Sequence, residues 1–333
     1  MIRLGAVDGD GVWVRRGDEA QIVRYPEAAA ELVAAPSIRF RDRALVHDAE
    51  GSAQRLRIVR TPEDGARSEE IVQRDGSGWE VAAPIEVDAD RIATRDVVRA
   101  LASLTAVRFA AADAAPEHGL DRPRVEVTAT FRGALPTEDD EEEGGEHDHD
   151  HGEEEPAADG PEREVVLRIG AATDDGSFAR LGDDPAVFVI APGLVQDLIG
   201  PLASRDLLAT EPGDLETLAI VRGAERIELR REGDAWTAGT GPADVARTQL
   251  IMDRLGSLRA VGTTSYSPAA AAFASPTLVI EVTRRAGEGS HQIVVGAVGE
   301  PGEAGWYHAR RSDLAVGYRL GATVVRSYLE YQP

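Results

Sequence analysis

The sequence predicts an α+β chain of tandem repeats, each a mostly antiparallel sheet with helices packed on one face. Three observations predict it: a recurring order of strand-like segments, glycine-rich turns between alternating strands, and two helical stripes that correspond position for position. Length agrees, since 333 residues exceed the roughly 250 to 300 at which a single core stops growing. A composition of 42% hydrophobic and 29% charged residues is that of a folded chain.

The repeat begins with three rhyming stretches. "IRLG" (2–5), "LRIG" (167–170) and "IVVG" (293–296) each read as a short strand ending in glycine, at Gly5, Gly170 and Gly296. Each runs through a turn into a second strand, in "DGDGVWVRR", "DDGSFARL" and "GEAGWYHARR". Glycine and aspartate at these turns supply the positive φ that a hairpin needs.

Other elements match in order. "LRIVR" (56–60) rhymes with "LAIVR" (218–222), and "RDGSGWEV" (74–81) with "REGDAWTA" (231–238). That alignment pairs Trp79 with Trp236, both expected to be buried packing anchors, because each ends a hairpin whose strands face a core. Ala89-Asp90 and Ala243-Asp244 precede helical patterns in which Val97, Leu101 and Leu104 match Ile251, Leu255 and Leu258, one apolar stripe per helix. "HGLDRPRVEVTATF" (118–131) parallels "AFASPTLVIEVTR" (272–284), with Pro123 and Pro276 opening an alternating strand. A closing helix is expected around 191–203 and around 26–35, each followed by Arg-Asp, at Arg205-Asp206 and Arg41-Asp42.

The expected organisation is therefore the last part of a truncated first repeat (1–45), a complete repeat (46–207) and a diverged one (208–333). The strand at 2–5 needs partners, which either precede Met1 or come from the following unit; the expectation is a longer parent protein.

The formal net charge is -23, and 138–155 carries twelve carboxylates without an arginine, leaving -11 for the rest. With no basic stripe or aromatic-interleaved basic patch, nucleic acid is not expected as a partner. Lysine is absent, so every cationic side chain is arginine, to which we attach no functional weight. Zero cysteines exclude disulfides, thiolate nucleophiles and Cys-based metal sites. No window approaches the ~20 apolar residues of a membrane span, and the N-terminus lacks a signal pattern.

"EHDHDHGEEE" (146–155) lies in an acidic, His-rich stretch (136–163) between two strands that the other copy joins with only "RRAGEGS" (284–290). It reads as a disordered, solvated insertion at a hairpin tip. His147, His149, His151, Asp148 and Asp150 are candidate ligands for loosely bound zinc or another divalent ion. No other cofactor is expected. A rigid site would hold its ligands on fixed turns, which this alternation does not provide.

Asp8 and Asp10 in "VDGDGV" lack the glutamate that a calcium loop requires and read as a hairpin turn. His118 is expected to cap or pack its turn rather than act as a base. There is no Gly-x-Ser-x-Gly elbow, Walker loop, dinucleotide fingerprint or His-Glu-x-x-His, so no enzyme is expected.

With the repeat laid out, the chain resembles a bacterial envelope family known as domain of unknown function 4340. The resemblance rests on Gly76-Ser77-Gly78-Trp79, Pro84, Ala89-Asp90, "HGLDRP" (118–123), "LRIG" (167–170), Phe178-Ala179-Arg180, "AVFVI" (186–190) and "SRDLL" (204–208). In the last unit "FASP" (273–276) replaces the Gly-Leu-Asp turn. The resemblance implies an accessory component found beside gliding-motility-type ABC transporters, usually with an N-terminal membrane anchor. The expected function is thus a non-catalytic, envelope-associated interaction module with protein partners such as ABC-transporter subunits. Its expected location is extracytoplasmic through an anchor missing here, or cytoplasmic if Met1 is the true start. Alternatives are a divalent-metal-gathering protein that uses the acidic His loop and a polysaccharide- or peptide-binding scaffold. Deleting 138–155 is expected to abolish zinc binding, read by calorimetry, while the melting temperature stays unchanged.

Overall fold

A computed structural model describes residues 2–8, 11–17, 20–26, 37–62, 65–133, 160–208, 212–239, 241–285, 289–302 and 305–333. They form three antiparallel sheets. The smallest holds β1 (Ile2–Asp8), β2 (Gly11–Arg16) and β3 (Ile22–Pro26) in sequence order.

The second sheet is built from β4 (Ala53–Arg60), β5 (Ser68–Asp75), β6 (Gly78–Ala83), β7 (Val87–Asp88), β8 (Arg108–Ala111), β9 (Val125–Arg132), β10 (Glu162–Thr173), β11 (Gly176–Leu181) and β12 (Val187–Ile190). Its strand order is β7-β6-β5-β4-β9-β10-β11-β12-β8. Helix α1 (Arg91–Ala102) follows β7 and α2 (Pro192–Ile199) follows β12.

The third sheet repeats that order with β13 (Leu215–Arg222), β14 (Glu225–Glu232), β15 (Ala235–Ala238), β16 (Gly241–Pro242), β17 (Gly262–Ser265), β18 (Leu278–Arg284), β19 (Ser290–Glu300), β20 (Trp306–Arg311) and β21 (Gly317–Gly321). Its helices are α3 (Val245–Gly256) and α4 (Ala322–Leu329). The fold is α+β, strand-dominated and tandemly repeated, as expected. Edge strands β8 and β17 escaped the sequence reading because four residues are too few to display a period.

Period-two alternation explains the central strands. On β9, Val125, Val127, Ala129 and Phe131 are buried while the residues between them are half-buried, and Leu278, Ile280 and Val282 do the same on β18. The half-buried residues between them cross-link strands, with Arg168 on β10 2.9 Å from Glu126 on β9, and Glu281 on β18 reached across β13 by the exposed Arg226 of β14 at 2.8 Å. Asp90 and Asp244 start the helices by accepting backbone N–H groups of the first turn. The predicted stripes are buried, and they continue past the helix ends to Leu104 and Leu258.

The glycine-ended strands do not end at glycine. Each continues through a β-bulge: register shifts fall between Leu4 and Val7, Ile169 and Ala172, and Val295 and Val298, bracketing Gly5-Ala6, Gly170-Ala171 and Gly296-Ala297. Close packing dictates the glycine in two of them. A Cβ on Gly170 would overlap the carbonyl of His118, and one on Gly296 the carbonyl of Ala272, so the turn before β9 or β18 lies directly on the bulge. Gly119, beside His118, completes that turn with φ +67. At Gly5 a Cβ would meet the Trp13 carbonyl oxygen at 3.1 Å and the Trp13 Cβ at 3.4 Å, contacts a neighbour can yield to.

The acidic insertion sits between Arg132 and Glu162, which are paired across β9 and β10. It is shorter than expected at its end, because Glu162 and Arg163 already belong to the ladder. The helix expected around 26–35 lies outside the described residues, apart from Pro26, which ends β3. No described helix is long and apolar enough to cross a membrane, which says nothing of a β-barrel.

Gly170→Ala is expected to cost about 1–3 kcal/mol in urea unfolding, through the backbone shift that its overlap demands. Gly193→Ala, on an exposed helix position with open space around it, is expected to be neutral or slightly stabilising in the same measurement.

Candidate functional site

Two buried carboxylates, Glu70 and Asp90, lie where one unit meets the next. Two short backbone rails make the join. In the first, Leu45 N donates to Leu104 O (2.7 Å) and Ala106 N to Arg43 O (2.8 Å). In the second, Leu207 N donates to Leu258 O (3.0 Å) and Ala260 N to Arg205 O (2.8 Å). The bridges Ala44 to Thr105 and Asp206 to Arg259 lie at their centres. This register makes Arg43, not Arg41, the counterpart of Arg205, two positions away from the shared Arg-Asp dipeptide.

Side chains reinforce both joins: at the first, exposed Arg41 pairs with Asp184 and lies 5.2 Å over the Phe109 ring, and at the second the contacts centre on a buried carboxylate. Arg259 donates to Asp206 (2.9 Å) and to Asp90 (2.7 Å), and Arg205 also donates to Asp90. Asp90 has a side-chain exposure of 1%. One of its oxygens caps α1 through Ile92 N (3.1 Å) and Ala93 N (3.0 Å), and the other holds both arginines. Burial alone would raise its carboxyl, but the Arg205 hydrogen bond, the Ala93 N–H and the two guanidinium charges hold it below the usual carboxylate range.

Glu70 on β5 is fully buried. Arg60 donates to it at 2.6 Å, Leu202 N at 2.8 Å, and the hydroxyl of Tyr266, from the next unit, completes the set. Burial, and then the Glu70 charge, push the Tyr266 phenol well above its ordinary value, which keeps it an O–H donor. Arg60 also donates to the carbonyls of Leu198 (2.6 Å) and Gly200 (2.7 Å) at the C-terminus of α2. Arg222 does the same for α4, donating to Tyr328 and Leu329 carbonyls, so an arginine cap on the closing helix is part of the repeat. Thr263 ties the next unit to the Pro201 carbonyl at 2.5 Å.

These contacts form one wall of a cleft of ≈ 900 Å³ between the second and third sheets, which Arg60, Arg67, Arg124, Ile199, Pro201 and Tyr266 help to line. It can hold a ligand; its one described hydroxyl–carboxylate pair, Tyr266 with Glu70, has that carboxylate also held by Arg60 and Leu202 N.

The residues singled out from sequence fall elsewhere. Trp79 and Trp236 are half-buried rather than buried: both rest against the core, and Arg74 lies 4.7 Å over the Trp79 ring. The backbone carbonyl of each accepts an N–H, from Ala89 and Ala243 respectively, at 3.1 Å. Pro123 is half-buried and Pro276 exposed, both just ahead of their strands. His118 is buried, accepts the Ala115 N–H on Nδ1 at 2.9 Å and stacks edge-on with Phe178, a packing and capping role. Asp8 pairs with Gly11 across a hairpin, and Asp10 lies outside the described residues. His147, His149, His151, Asp148 and Asp150 also lie outside them.

Glu70 and Tyr266 were missed, yet the repeat carries a signal for both. Aligning Trp79 with Trp236 puts Glu70 opposite Ile227, and aligning Ala106 with Ala260 puts Tyr266 opposite Ala112. A carboxylate and a phenol at positions that are apolar in the other copy mark a unit-specific contact.

Because the Asp90 carboxyl is held low, its stabilising contribution is complete above the ordinary aspartate pKa of about 3.9 and is lost as pH falls through the lower folded value. Asp90→Asn is expected to lower stability at pH 7 by about 1–3 kcal/mol. The gap between wild type and variant, followed by urea unfolding, should narrow below pH ~4. A constant gap would contradict the assignment.

No curated protein and no solved structure matches the chain. The family described as domain of unknown function (DUF4340) matches it twice, over 2–123, which includes Glu70, and over 79–276, which includes Tyr266, with Asp90 in both. The chain belongs to this family.

Proposed function

We propose that the chain is a non-catalytic interaction module of a bacterial envelope complex of the ABC-transporter type, working on the extracytoplasmic side. The observation that carries this reading is the junction. Its buried charges, Glu70, Asp90 and Arg60, are engaged in joining units and capping helices, which is scaffold chemistry rather than proton or group transfer. In this reading the units run 1–45, 46–207 and 208–333, and helices pack on one face of each sheet. The opposite, Arg–Glu-laced faces are then left for a protein partner. The envelope location and the transporter association are supported by the kinship alone.

A second reading has one observation behind it, the three imidazoles and twelve carboxylates of 138–155, which suit gathering of divalent metal. Cross-linking the C-terminally tagged protein in its own cells tests the first. Transporter subunits are expected in the purified complex; recovery of the tagged chain alone, in the cytosolic fraction, would overturn it.

A further inference from the structure

We infer that the cleft between the second and third sheets binds an acidic peptide segment with interspersed aliphatic side chains. The inference rests on the interaction-module reading and names the chemistry of the partner.

The chain as a whole carries -23, but this cleft has the opposite local sign. Three arginines line it, Arg60, Arg67 and Arg124. Arg60 is neutralised by Glu70 behind it. Glu69, the lining carboxylate, accepts from Arg57 of β4 on both oxygens, at 2.8 and 3.2 Å. Arg124 donates only to neutral groups, Gly170 O at 2.7 Å and Ser177 Oγ at 3.0 Å, and no carboxylate pairs with it among the described residues. Arg67 is exposed at the rim and has no hydrogen-bonded partner among the described residues. Neither Arg67 nor Arg124 thus holds a carboxylate in a hydrogen bond among the described residues: Arg124 is fixed by its neutral partners, and Arg67 acts through charge alone on Glu69, whose hydrogen bonds come from Arg57. A guanidinium fork matches a carboxylate in two parallel bonds.

Part of the remaining lining is apolar, contributed by Pro84, Val125, Val195, Ile199 and Pro201 beside the hydroxyl-bearing Thr264, Ser265 and Ser267. Ile199, 56% exposed, stands beside Pro201 at the end of α2. An aliphatic side chain at such a mouth needs an aliphatic partner to leave water, so a purely ionic ligand would use half the site. Both walls are held in place before any ligand arrives, because the Tyr266 to Glu70 and Thr263 to Pro201 bonds cross the junction. A nucleic acid fits less well. The overall charge repels a polyanion, and the lining Tyr266 is engaged through its hydroxyl and only half-buried, not a free stacking platform.

The test is fluorescence anisotropy on the full chain, with a short fluorescein-labelled peptide alternating glutamate with leucine. A lysine-leucine peptide and a single-stranded oligonucleotide serve as comparison probes. The acidic peptide is expected to bind, more weakly as salt rises, and the others not. Arg67→Glu and Ile199→Asp, both at exposed positions, are each expected to weaken it about tenfold with unchanged melting temperature. Arg230→Glu, on the third sheet away from the cleft, is expected to leave it unchanged. Absence of binding, equal binding of the lysine peptide, preference for the oligonucleotide, or indifference to Arg67→Glu and Ile199→Asp would each overturn the inference. If the peptide fails while cross-linking in cells still recovers transporter subunits, the cleft assignment falls and the module reading stands. The reverse pattern separates them the other way.

Discussion

A carboxylate with no solvent contact governs how the units of this chain meet. Removing one from water costs several kcal/mol even after relaxation, so Glu70 is tolerated only with its hydrogen bonds made. Two of its three donors, Arg60 and Leu202 N, come from its own unit, and the third, the Tyr266 hydroxyl, comes from the next. The most economical arrangement of this group thus requires the neighbour to be in one place. Asp90 imposes a second condition of the same kind, since Arg259 reaches it across the rail. Apolar packing would hold the units together without specifying a register; these two carboxylates specify one.

Much of the architecture was legible because it is written twice. The Trp79 and Trp236 hairpins, the aspartate caps and the helical stripes each recur, and a recurring pattern separates a signal from chance better than any single segment does. The bulges were half legible: the glycines stood out, but a register shift is a relation between two strands and leaves no local mark beyond a residue without Cβ. The junction was least legible. Arg60 and Arg222 both sit in the matched "LRIVR" and "LAIVR" strands, where an arginine reads as surface charge. That their guanidinium groups cap a helix far along the chain depends on tertiary contact.

The repeat also separates what belongs to the unit from what belongs to this pair of units. Backbone rail, bulge glycine, aspartate cap and arginine helix cap occur in more than one copy and need no particular neighbour side chain. Glu70, Tyr266 and Arg259 occur once, opposite Ile227, Ala112 and Thr105. Generic stacking is thereby overlaid with a buried lock at the second junction, while at the first, where Ala44 and Thr105 stand in place of Asp206 and Arg259, the side-chain contacts are the exposed Arg41–Asp184 pair and Arg41 over the Phe109 ring. The cleft lies at the locked junction, where the geometry of its walls is best defined.

The rails carry a consequence for the meaning of a domain here. The segment that finishes one unit, 43–45 or 205–207, is a strand-like edge whose backbone-to-backbone hydrogen bonds go to the following unit. A cut made where one sheet ends and the next begins would strip each excised piece of its first backbone contacts and bare Leu104 or Leu258 to water. The unit that could stand alone is accordingly offset from the unit of sequence repetition, beginning with its predecessor's last few residues, so the evolutionary module and the autonomous folding module are different cuts of the same chain.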